Sequence, residues 1–219
     1  MNNLQKRIIT SAVLIGIVLS CLFINNYTWL LLLIIVSLIS LVEIINLSKK
    51  IWKNKLILFI FSTISFIYLF FFTVITFRAK AWYDGIWHDA EGILFILLIC
   101  ILSDIGGYIV GKSIGGKKLT KISPNKTISG SIGSFLFSLL PLMFIDEIFV
   151  KVEFINIIWI LTISLTCQLG DLFISYLKRL AKVKDTGSFL PGHGGILDRI
   201  DGIVFGVPAS FLFWVMIVN

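Results

Sequence analysis

Long apolar runs separated by short polar segments dominate this chain. A helix needs about 17 to 25 predominantly apolar residues to cross the hydrocarbon core of a bilayer. Runs of about this length lie at residues 8–24, 28–47, 56–77, 93–111, 129–150, 154–176 and 195–218. The pattern therefore predicts an all-α, polytopic integral membrane protein with about seven transmembrane helices. The last span is the one whose start is interrupted by charges, at Asp198, Arg199 and Asp201.

The composition favours the same class of protein. Hydrophobic residues make up 58% of the chain, charged residues make up 14%, and the mean hydropathy is +1.00. Soluble domains average about 45 to 50% apolar and about 25% charged residues, so a water-soluble globule and a disordered chain are both excluded. The cysteines Cys21, Cys100 and Cys167 each lie inside an apolar run, which predicts neither a disulfide framework nor a CxxC metal site.

The basic residues predict the orientation of the chain in the membrane. Sixteen of the 19 lysines and arginines fall on one side of the seven-span arrangement. Lys and Arg in short loops are retained on the cytoplasmic side, so we expect a cytoplasmic amino terminus. A net charge of +7 in so apolar a chain favours cytoplasmic loops or anionic phosphate ligands, and we expect no nucleic acid as a partner.

Three carboxylates fall within or at the ends of the apolar spans: Glu43, Asp104 and Asp171. A charge at membrane depth costs at least about 2.5 to 3.5 kcal/mol, so a functional use is the default hypothesis. For Glu43, a place at the inner membrane interface near Lys49 and Lys50 is a sufficient explanation. For Asp104, which has small residues next to it, a ligand site is favoured over a polar group that only packs helices.

The loop from residue 111 to residue 130 reads GKSIGGKKLTKISPNKTISG. Backbone N–H groups, lysine ammonium groups and hydroxyls are what a polyphosphate requires, because its charge is spread over many oxygens. The loop does not match the GxxxxGK[ST] pattern of a P-loop. A loop that is basic only because it is cytoplasmic would explain the lysines, but it would not explain the SPNKT segment at 123–127 just before a span.

The stretch from Gln168 to Gly202 has the highest density of polar residues. On a helix, Asp171, Ser175 and Lys178 share one face, so the carboxylate and the cation can address one ligand. The pair Asp198 and Asp201 is also one helical turn apart. Together with Asp171, this pair suits Mg²⁺, which takes oxygen ligands and retains water and substrate phosphates. With several cationic side chains and His193 nearby, a combined metal and phosphate site is favoured over a solvated charged face.

The fixed spacing of these polar residues closely resembles the signature of the phosphatidate cytidylyltransferases, also called CDP-diacylglycerol synthases. The matching residues are Ser175-x-x-Lys178-Arg179-x4-Lys184-Asp185, then Pro191-Gly192-His193-Gly194-Gly195-x-x-Asp198-Arg199-x-Asp201, and upstream Asp104-x3-Tyr108-x2-Gly111 and Ser123-Pro124-x-Lys126-Thr127. The resemblance covers about the carboxyl-terminal half at motif level. It departs from the family at Ser129, where the family usually carries Glu, and at Gly107, where Ala is more frequent.

The resemblance implies transfer of the cytidylyl group from CTP to phosphatidate, with Mg²⁺ as cofactor. It also implies an active site at the cytoplasmic face of a bacterial-type inner (plasma) membrane, with membrane lipid around it. We assign 1–219 to a single integral membrane domain. Residues 1–92 would supply amino-terminal transmembrane helices, and 93–219 would form a catalytic half with cytoplasmic loops 111–128 and 177–197.

The candidate residues fall into three groups by role. Expected catalytic residues are Asp171, Lys178, Arg179, Lys184, Asp185, His193, Asp198 and Asp201. Expected substrate-binding residues are Asp104, Ser123, Lys126, Thr127, Ser175 and Arg199. The expected metal ligands are Asp171, Asp198 and Asp201.

Both substrates are polyanions, so the chemistry calls for a metal ion and cationic side chains. The phosphate nucleophile is already ionised at neutral pH, so His193 is assigned to phosphate contact or positioning and not to proton abstraction. A CTP-dependent lipid kinase and a transporter with buried carboxylates are the alternatives. A monovalent cation beside Mg²⁺ and a homodimer stay open at this point.

Overall fold

The computed structural model, which describes residues 3–82, 90–144, 154–190 and 194–217, is built from α-helices. Eight helices are seen in these ranges, and a 3₁₀ helix, Leu140–Phe144, follows the fifth of them. The α-helices are α1 Asn3–Ile24, α2 Asn26–Ile51, α3 Lys55–Trp82, α4 Glu91–Ile114, α5 Ile128–Ser138, α6 Phe154–Leu180, α7 Leu197–Ile200 and α8 Ile203–Ile217.

The predicted all-α class and membrane character are confirmed. Among the described residues, four helices are long and apolar enough to cross a membrane: Asn26–Ile51, Lys55–Lys80, Glu91–Ile114 and Phe154–Leu180. Three shorter apolar helical segments, Ile9–Ile24, Ile128–Met143 and Ile203–Met216, correspond to the remaining predicted spans. The number of helices that cross the bilayer, and the cytoplasmic amino terminus, stay predictions.

Many large apolar side chains point away from the protein interior. Phe59 is 69% exposed, Phe70 is 62% exposed and Ile15 is 60% exposed. In water, contiguous apolar surface on this scale would promote association. Lipid removes that penalty, because hydrocarbon is as apolar as these side chains.

The chain packs as two compact units, each made of two segments. Unit 1 comprises Met1–Arg78 and Leu177–Ile200, and unit 2 comprises Ala79–Tyr176 and Asp201–Asn219. Helix α6 therefore contributes most of its length to unit 2 and its last turn to unit 1. The predicted single domain 1–219, with its parts 1–92 and 93–219, stays a prediction.

Unit 1 is held together by apolar contacts and by buried hydrogen bonds, one of which joins α2 and α3. Helix α1 packs on α2, and Leu22 and Leu47 are almost completely buried. The hydroxyls of Ser37 in α2 and Thr73 in α3 are 2.7 Å apart. This hydrogen bond pairs two buried hydroxyls and joins the two helices.

Unit 2 depends on close approach of α4 and α5. A Cβ atom added at Gly106 would lie 2.5 Å from the carbonyl oxygen of Gly133, and one added at Gly107 would lie 2.6 Å from the hydroxyl oxygen of Ser134. Small residues allow two helix backbones to come this close. The Gly at position 107, where the similar family more often has Ala, therefore matches the space available here.

The last predicted span is not one continuous helix. The short α7 ends at Ile200, and α8 begins at Ile203 after a turn at Asp201 and Gly202. The Asp201 side chain accepts a hydrogen bond from the N–H of Gly202 at 2.9 Å. This bond offers the backbone a local partner in place of a helical one, which explains the break.

Candidate active site

Half of the residues expected to carry chemistry fall into two clusters, one in each unit. In unit 2 they line a cavity of about 320 Å³, called here the Lys126 pocket. Its polar lining includes Asp104, Ser123, Asn125, Lys126, Thr127 and Asp171. In unit 1, Glu43, Lys178, Thr186, Gly195 and Asp198 form a hydrogen-bonded group, called here the Asp198 cluster.

The loop between α4 and α5 places Lys126 in its pocket through backbone hydrogen bonds. The N–H of Lys126 donates to the carbonyl of Ser123 at 3.0 Å, which closes a turn around Pro124. The carbonyl of Lys126 accepts from the N–H of Leu119 at 2.8 Å. The lysine is thus fixed at its backbone, while its long side chain keeps its freedom to exchange partners.

Thr127 and Ser129 join the end of this loop to helix α5. The Thr127 hydroxyl accepts a hydrogen bond from the N–H of Gly130 at 3.0 Å, so Thr127 is the N-cap of α5. Ser129 donates to the carbonyl of Gly115 at 2.5 Å and ties the two ends of the loop together. Ser129, where the similar family usually carries Glu, therefore has a hydrogen-bonding role within the loop.

Lys126 and Asp171 form an ion pair inside the Lys126 pocket. Their side chains are 28% and 27% exposed, so solvent reaches both partners. The other oxygen of Asp171 accepts a hydrogen bond from Ser175, one helical turn further along α6, at 3.3 Å. Asp171 and Ser175 share a face of α6 as predicted, whereas Lys178, the third member of that prediction, pairs with Asp198. Asp104 and Ser123 line the same cavity as Asp171.

Asp198 has donors on both of its oxygens. Lys178 donates to Oδ1 at 2.7 Å. Oδ2 accepts from the backbone N–H of Thr186 at 2.8 Å, from its hydroxyl at 2.9 Å, and from the N–H of Gly195 at 3.1 Å. The Asp198 side chain is only 5% exposed. A cation binding at Asp198 would have to displace one of these donors.

These donors determine the ionisation of Asp198. Burial alone would raise the pKa of this carboxyl, because it disfavours the charged form. The hydrogen bond and charge of Lys178, together with the N–H groups of Thr186 and Gly195, outweigh burial and hold the pKa of Asp198 below its usual range. Asp198 is therefore a carboxylate at neutral pH.

Glu43 is part of the Asp198 cluster, so a place at the membrane interface is not a sufficient explanation for it. It is 5% exposed and accepts hydrogen bonds from Thr186, Ile196 and Leu197. Lys49 and Lys50 are exposed at the end of α2. One indication of this role was present in the sequence, because Glu43 is a carboxylate eight residues before the end of an apolar helix. The partners of Glu43 lie far along the chain, and no local pattern indicates them.

The remaining candidates are distributed over both units. Arg179, Lys184, Asp185 and Arg199 are exposed residues of unit 1. Asp201 belongs to unit 2 and accepts from the N–H of Gly202. His193 lies outside the described residues.

The donor chemistry of the Lys126 pocket fits a hard cation such as Mg²⁺. Carboxylate, hydroxyl and amide oxygens, including those of Asp104, Asp171 and Gln168, line the cavity. In the part of the chain that the structure describes, no group of three or more His, Cys, Asp or Glu side chains is arranged to hold a metal ion by itself. The three-aspartate site expected from the sequence stays a prediction, because Asp171 and Asp201 belong to unit 2 and Asp198 belongs to unit 1.

The chain is similar to curated bacterial proteins. It is 43% identical over 129 residues to a phosphatidate cytidylyltransferase of Rickettsia bellii, a match that covers 54% of this chain and 56% of that protein. It is 42% identical over 134 residues to the phosphatidate cytidylyltransferase of Bacillus subtilis, covering 58% of this chain and 49% of the relative. The chain spans about half the length of the curated relatives it matches.

The family comparison covers a longer part of the chain than these pairwise matches. A model of the cytidylyltransferase family matches residues 53–217. The matched region includes the Lys126 pocket and every residue of the Asp198 cluster except Glu43. Because the match extends over well more than half of the 219 residues, the chain belongs to the cytidylyltransferase family.

Proposed function

We propose that this protein transfers the cytidylyl group of CTP to phosphatidate. A phosphate oxygen of phosphatidate forms a bond to the α-phosphorus of CTP. The bond from that phosphorus to the oxygen bridging to the β-phosphate breaks, so pyrophosphate leaves with the electron pair. The products are CDP-diacylglycerol, which stays in the membrane, and pyrophosphate. The family membership and the names of the relatives support this reaction.

The observation that carries the proposal is the partly exposed Lys126–Asp171 ion pair in a cavity of about 320 Å³. Lys126 can exchange the carboxylate for a phosphate oxygen at little cost, because solvent already reaches both partners. Ser123 and Asn125 offer hydrogen bonds to further oxygens of a polyphosphate. The pocket thus provides the cation and the polar groups that CTP requires.

Mg²⁺ is the cofactor we propose, and its chemistry is to neutralise charge on the phosphates and on the departing pyrophosphate. Asp171 and Asp201 suit it as oxygen ligands. Asp198 suits it less directly, because its oxygens already accept from Lys178, Thr186 and Gly195. A monovalent cation beside Mg²⁺ and a homodimer, which the sequence left open, are further proposals.

No side chain has to remove a proton from the nucleophile. A phosphate monoester with a second pKa near about 6 is largely ionised at neutral pH. The residues of the chain are therefore needed to bind and orient two anions and to stabilise the leaving group. Lys178, Arg179 and Lys184 are proposed for this electrostatic role, and His193 for phosphate contact.

The second substrate, phosphatidate, is a lipid of the membrane in which the helices lie. We propose that the protein lies in the inner membrane with its amino terminus and its active site at the cytoplasmic face. Phosphatidate would then reach the site from the bilayer, and CTP would reach it from the cytosol. The four long apolar helices support the membrane part of this proposal.

Labelled CTP tests the function directly. Purified protein is incubated with phosphatidate, Mg²⁺ and CTP carrying label in either the α- or the γ-phosphate, and the lipid product is analysed. We expect the α label, and not the γ label, in the lipid. Transfer of the γ label would identify a lipid kinase, and absence of lipid labelling with both substrates would contradict the proposal.

A further inference from the structure

A buried carboxylate from the second helix lies within the Asp198 cluster. Both oxygens of Glu43 accept hydrogen bonds. Oε1 accepts from the N–H of Ile196 at 3.0 Å. Oε2 accepts from the N–H of Leu197 at 2.9 Å and from the hydroxyl of Thr186 at 2.8 Å. One side chain of α2 thus fixes a segment more than 140 residues away along the chain.

The hydrogen bonds to Glu43 satisfy both the buried carboxylate and the backbone N–H groups that donate to it. A buried carboxylate is tolerated only when donors replace the water it has lost. The N–H groups of Ile196 and Leu197 lie at the start of the short helix α7, where no helical acceptor is available to them. Removing the carboxylate would leave buried backbone donors without an acceptor, so the segment would have to move.

Thr186 connects Glu43 to Asp198. Its hydroxyl oxygen lies 2.8 Å from Oε2 of Glu43 and 2.9 Å from Oδ2 of Asp198. A hydroxyl has one proton, so it donates to one carboxylate at a time and holds both within hydrogen-bonding distance. The position of Asp198, and with it that of the paired Lys178, therefore depends on where Glu43 holds Thr186.

The glycines of this segment are matched to the Glu43 carboxylate. A Cβ atom added at Gly187 would lie 2.7 Å from Oε1 of Glu43. A Cβ atom added at Gly195 would collide with the hydroxyl of Thr186 and with both Glu43 oxygens. The backbone thus approaches the carboxylate as closely as only glycine permits.

We propose that Glu43 is a positioning residue for cytidylyl transfer. It holds the segment that carries Asp198 and keeps the Lys178–Asp198 pair in the geometry used by the reaction. The inference rests on the proposed function, because Lys178, the partner of Asp198, is assigned there to stabilise charge on the phosphates. It extends the site to a helix that lies before the matched family region.

Glu43→Gln is the main test variant, because it keeps the size of the side chain but turns one acceptor oxygen into a donor that faces other donors. We expect kcat to fall by about tenfold to a hundredfold, as displacement of a positioned group does. The KM for CTP should stay within about twofold, since uniform binding in the Lys126 pocket is untouched. Ser37→Ala removes another buried hydrogen bond of α2 without touching the segment, and it should keep wild-type kcat.

Thr186→Val is the second variant, and it tests the positioning role if Glu43→Gln does not fold. It removes the connecting hydroxyl but leaves the bonds from Ile196 and Leu197 to Glu43. We expect the same fall in kcat. Wild-type kcat in either folded variant, or an equal loss in Ser37→Ala, would overturn the proposal.

Hydrogen exchange separates this inference from the proposed function, because it needs no activity. In Glu43→Gln we expect faster exchange at the amides of Thr186 and Gly195, which donate to Asp198 and not to Glu43. Wild-type protection of these two amides would overturn the positioning role even if the enzyme were active. An inactive wild-type protein with faster exchange in the variant would contradict the cytidylyl transfer but retain the structural coupling.

Discussion

The Lys126 pocket and the Asp198 cluster each contain a lysine–aspartate pair, but the surroundings of the two pairs are opposite. Lys126 and Asp171 are 28% and 27% exposed, whereas Lys178 and Asp198 are 15% and 5% exposed. Asp171 has one further donor, Ser175 at 3.3 Å, while Asp198 has three further donor groups within 3.1 Å. One aspartate is therefore available to a ligand, and the other is held by the protein.

We interpret this difference as a division between residues that bind a ligand and residues that position charged side chains. Solvent screens a partly exposed ion pair, so a phosphate or a metal can replace one partner at lower cost than in a buried pair. A buried pair with all its hydrogen bonds made is expensive to break, because the charge left behind stays unsolvated. We therefore interpret the Lys126 pocket as the ligand-binding region and the Asp198 cluster as the support that orients charged groups.

The largest effect is expected for Asp171→Asn. The substitution keeps the size of the side chain and removes its charge, so turnover should fall about a hundredfold or more, as loss of a major electrostatic contribution does. The melting temperature should change less than the turnover, since solvent reaches both partners of the pair with Lys126. Initial rates at limiting Mg²⁺ measure the turnover, and a thermal melt in detergent measures the melting temperature. A near-native rate would show that Asp171 is not part of the reacting site.

A smaller effect, on binding, is expected for Lys126→Gln. The variant should weaken the apparent affinity for CTP by about tenfold, because one charge-assisted hydrogen bond to phosphate is lost. Lys121→Gln is the matched control, since Lys121 is exposed in the same loop but does not line the pocket. CTP titrations of the two variants give the comparison, and equal affinities would remove Lys126 from the nucleotide site.

Gly195→Ala tests the close packing of the Asp198 cluster. The added methyl group would collide with Thr186 and Glu43, and overpacking of this kind costs about 1 to 3 kcal/mol. A lower melting temperature and lower turnover are expected together. Gly16→Ala is the control, because a Cβ atom there would have nothing within 4 Å. Equal melting temperatures for the two variants would mean that the segment accommodates the added methyl group without losing stability.

The smallest effect concerns the acid stability contributed by Asp198. Its pKa is lower in the folded chain than in the unfolded chain, so its contribution is present above the unfolded value and is lost as the pH falls through the folded value. Wild-type protein should be more stable than Asp198→Asn at neutral pH. This advantage should shrink as the pH falls below about 3.9, the ordinary value for aspartate. Melting temperatures over that pH range provide the test, and a constant difference would contradict the lowered pKa.

Local features of the structure agree with the predictions from sequence. Within the described residues the apolar runs are helical, although residues 145–150 of the run 129–150 lie outside them. Asp171 and Ser175 are hydrogen-bonded one turn apart on α6. Both results depend on a short stretch of chain, because hydrophobic length and helical spacing are properties of neighbouring residues. The break between Ile200 and Ile203 also depends on local residues, Asp201 and Gly202, although the sequence pattern suggested a continuous span.

The helical membrane class and the polar residues of the candidate site follow from the order of residues along the chain. Which of these residues meet, and how exposed each pair is, follows from the packing of distant segments. Lys126 and Asp171 are 45 residues apart in the chain, and Glu43 is more than 140 residues from Thr186. A sequence pattern states the types of side chains and their local spacing. The burial and the hydrogen bonds that make one aspartate available and hold the other arise only when distant segments pack together.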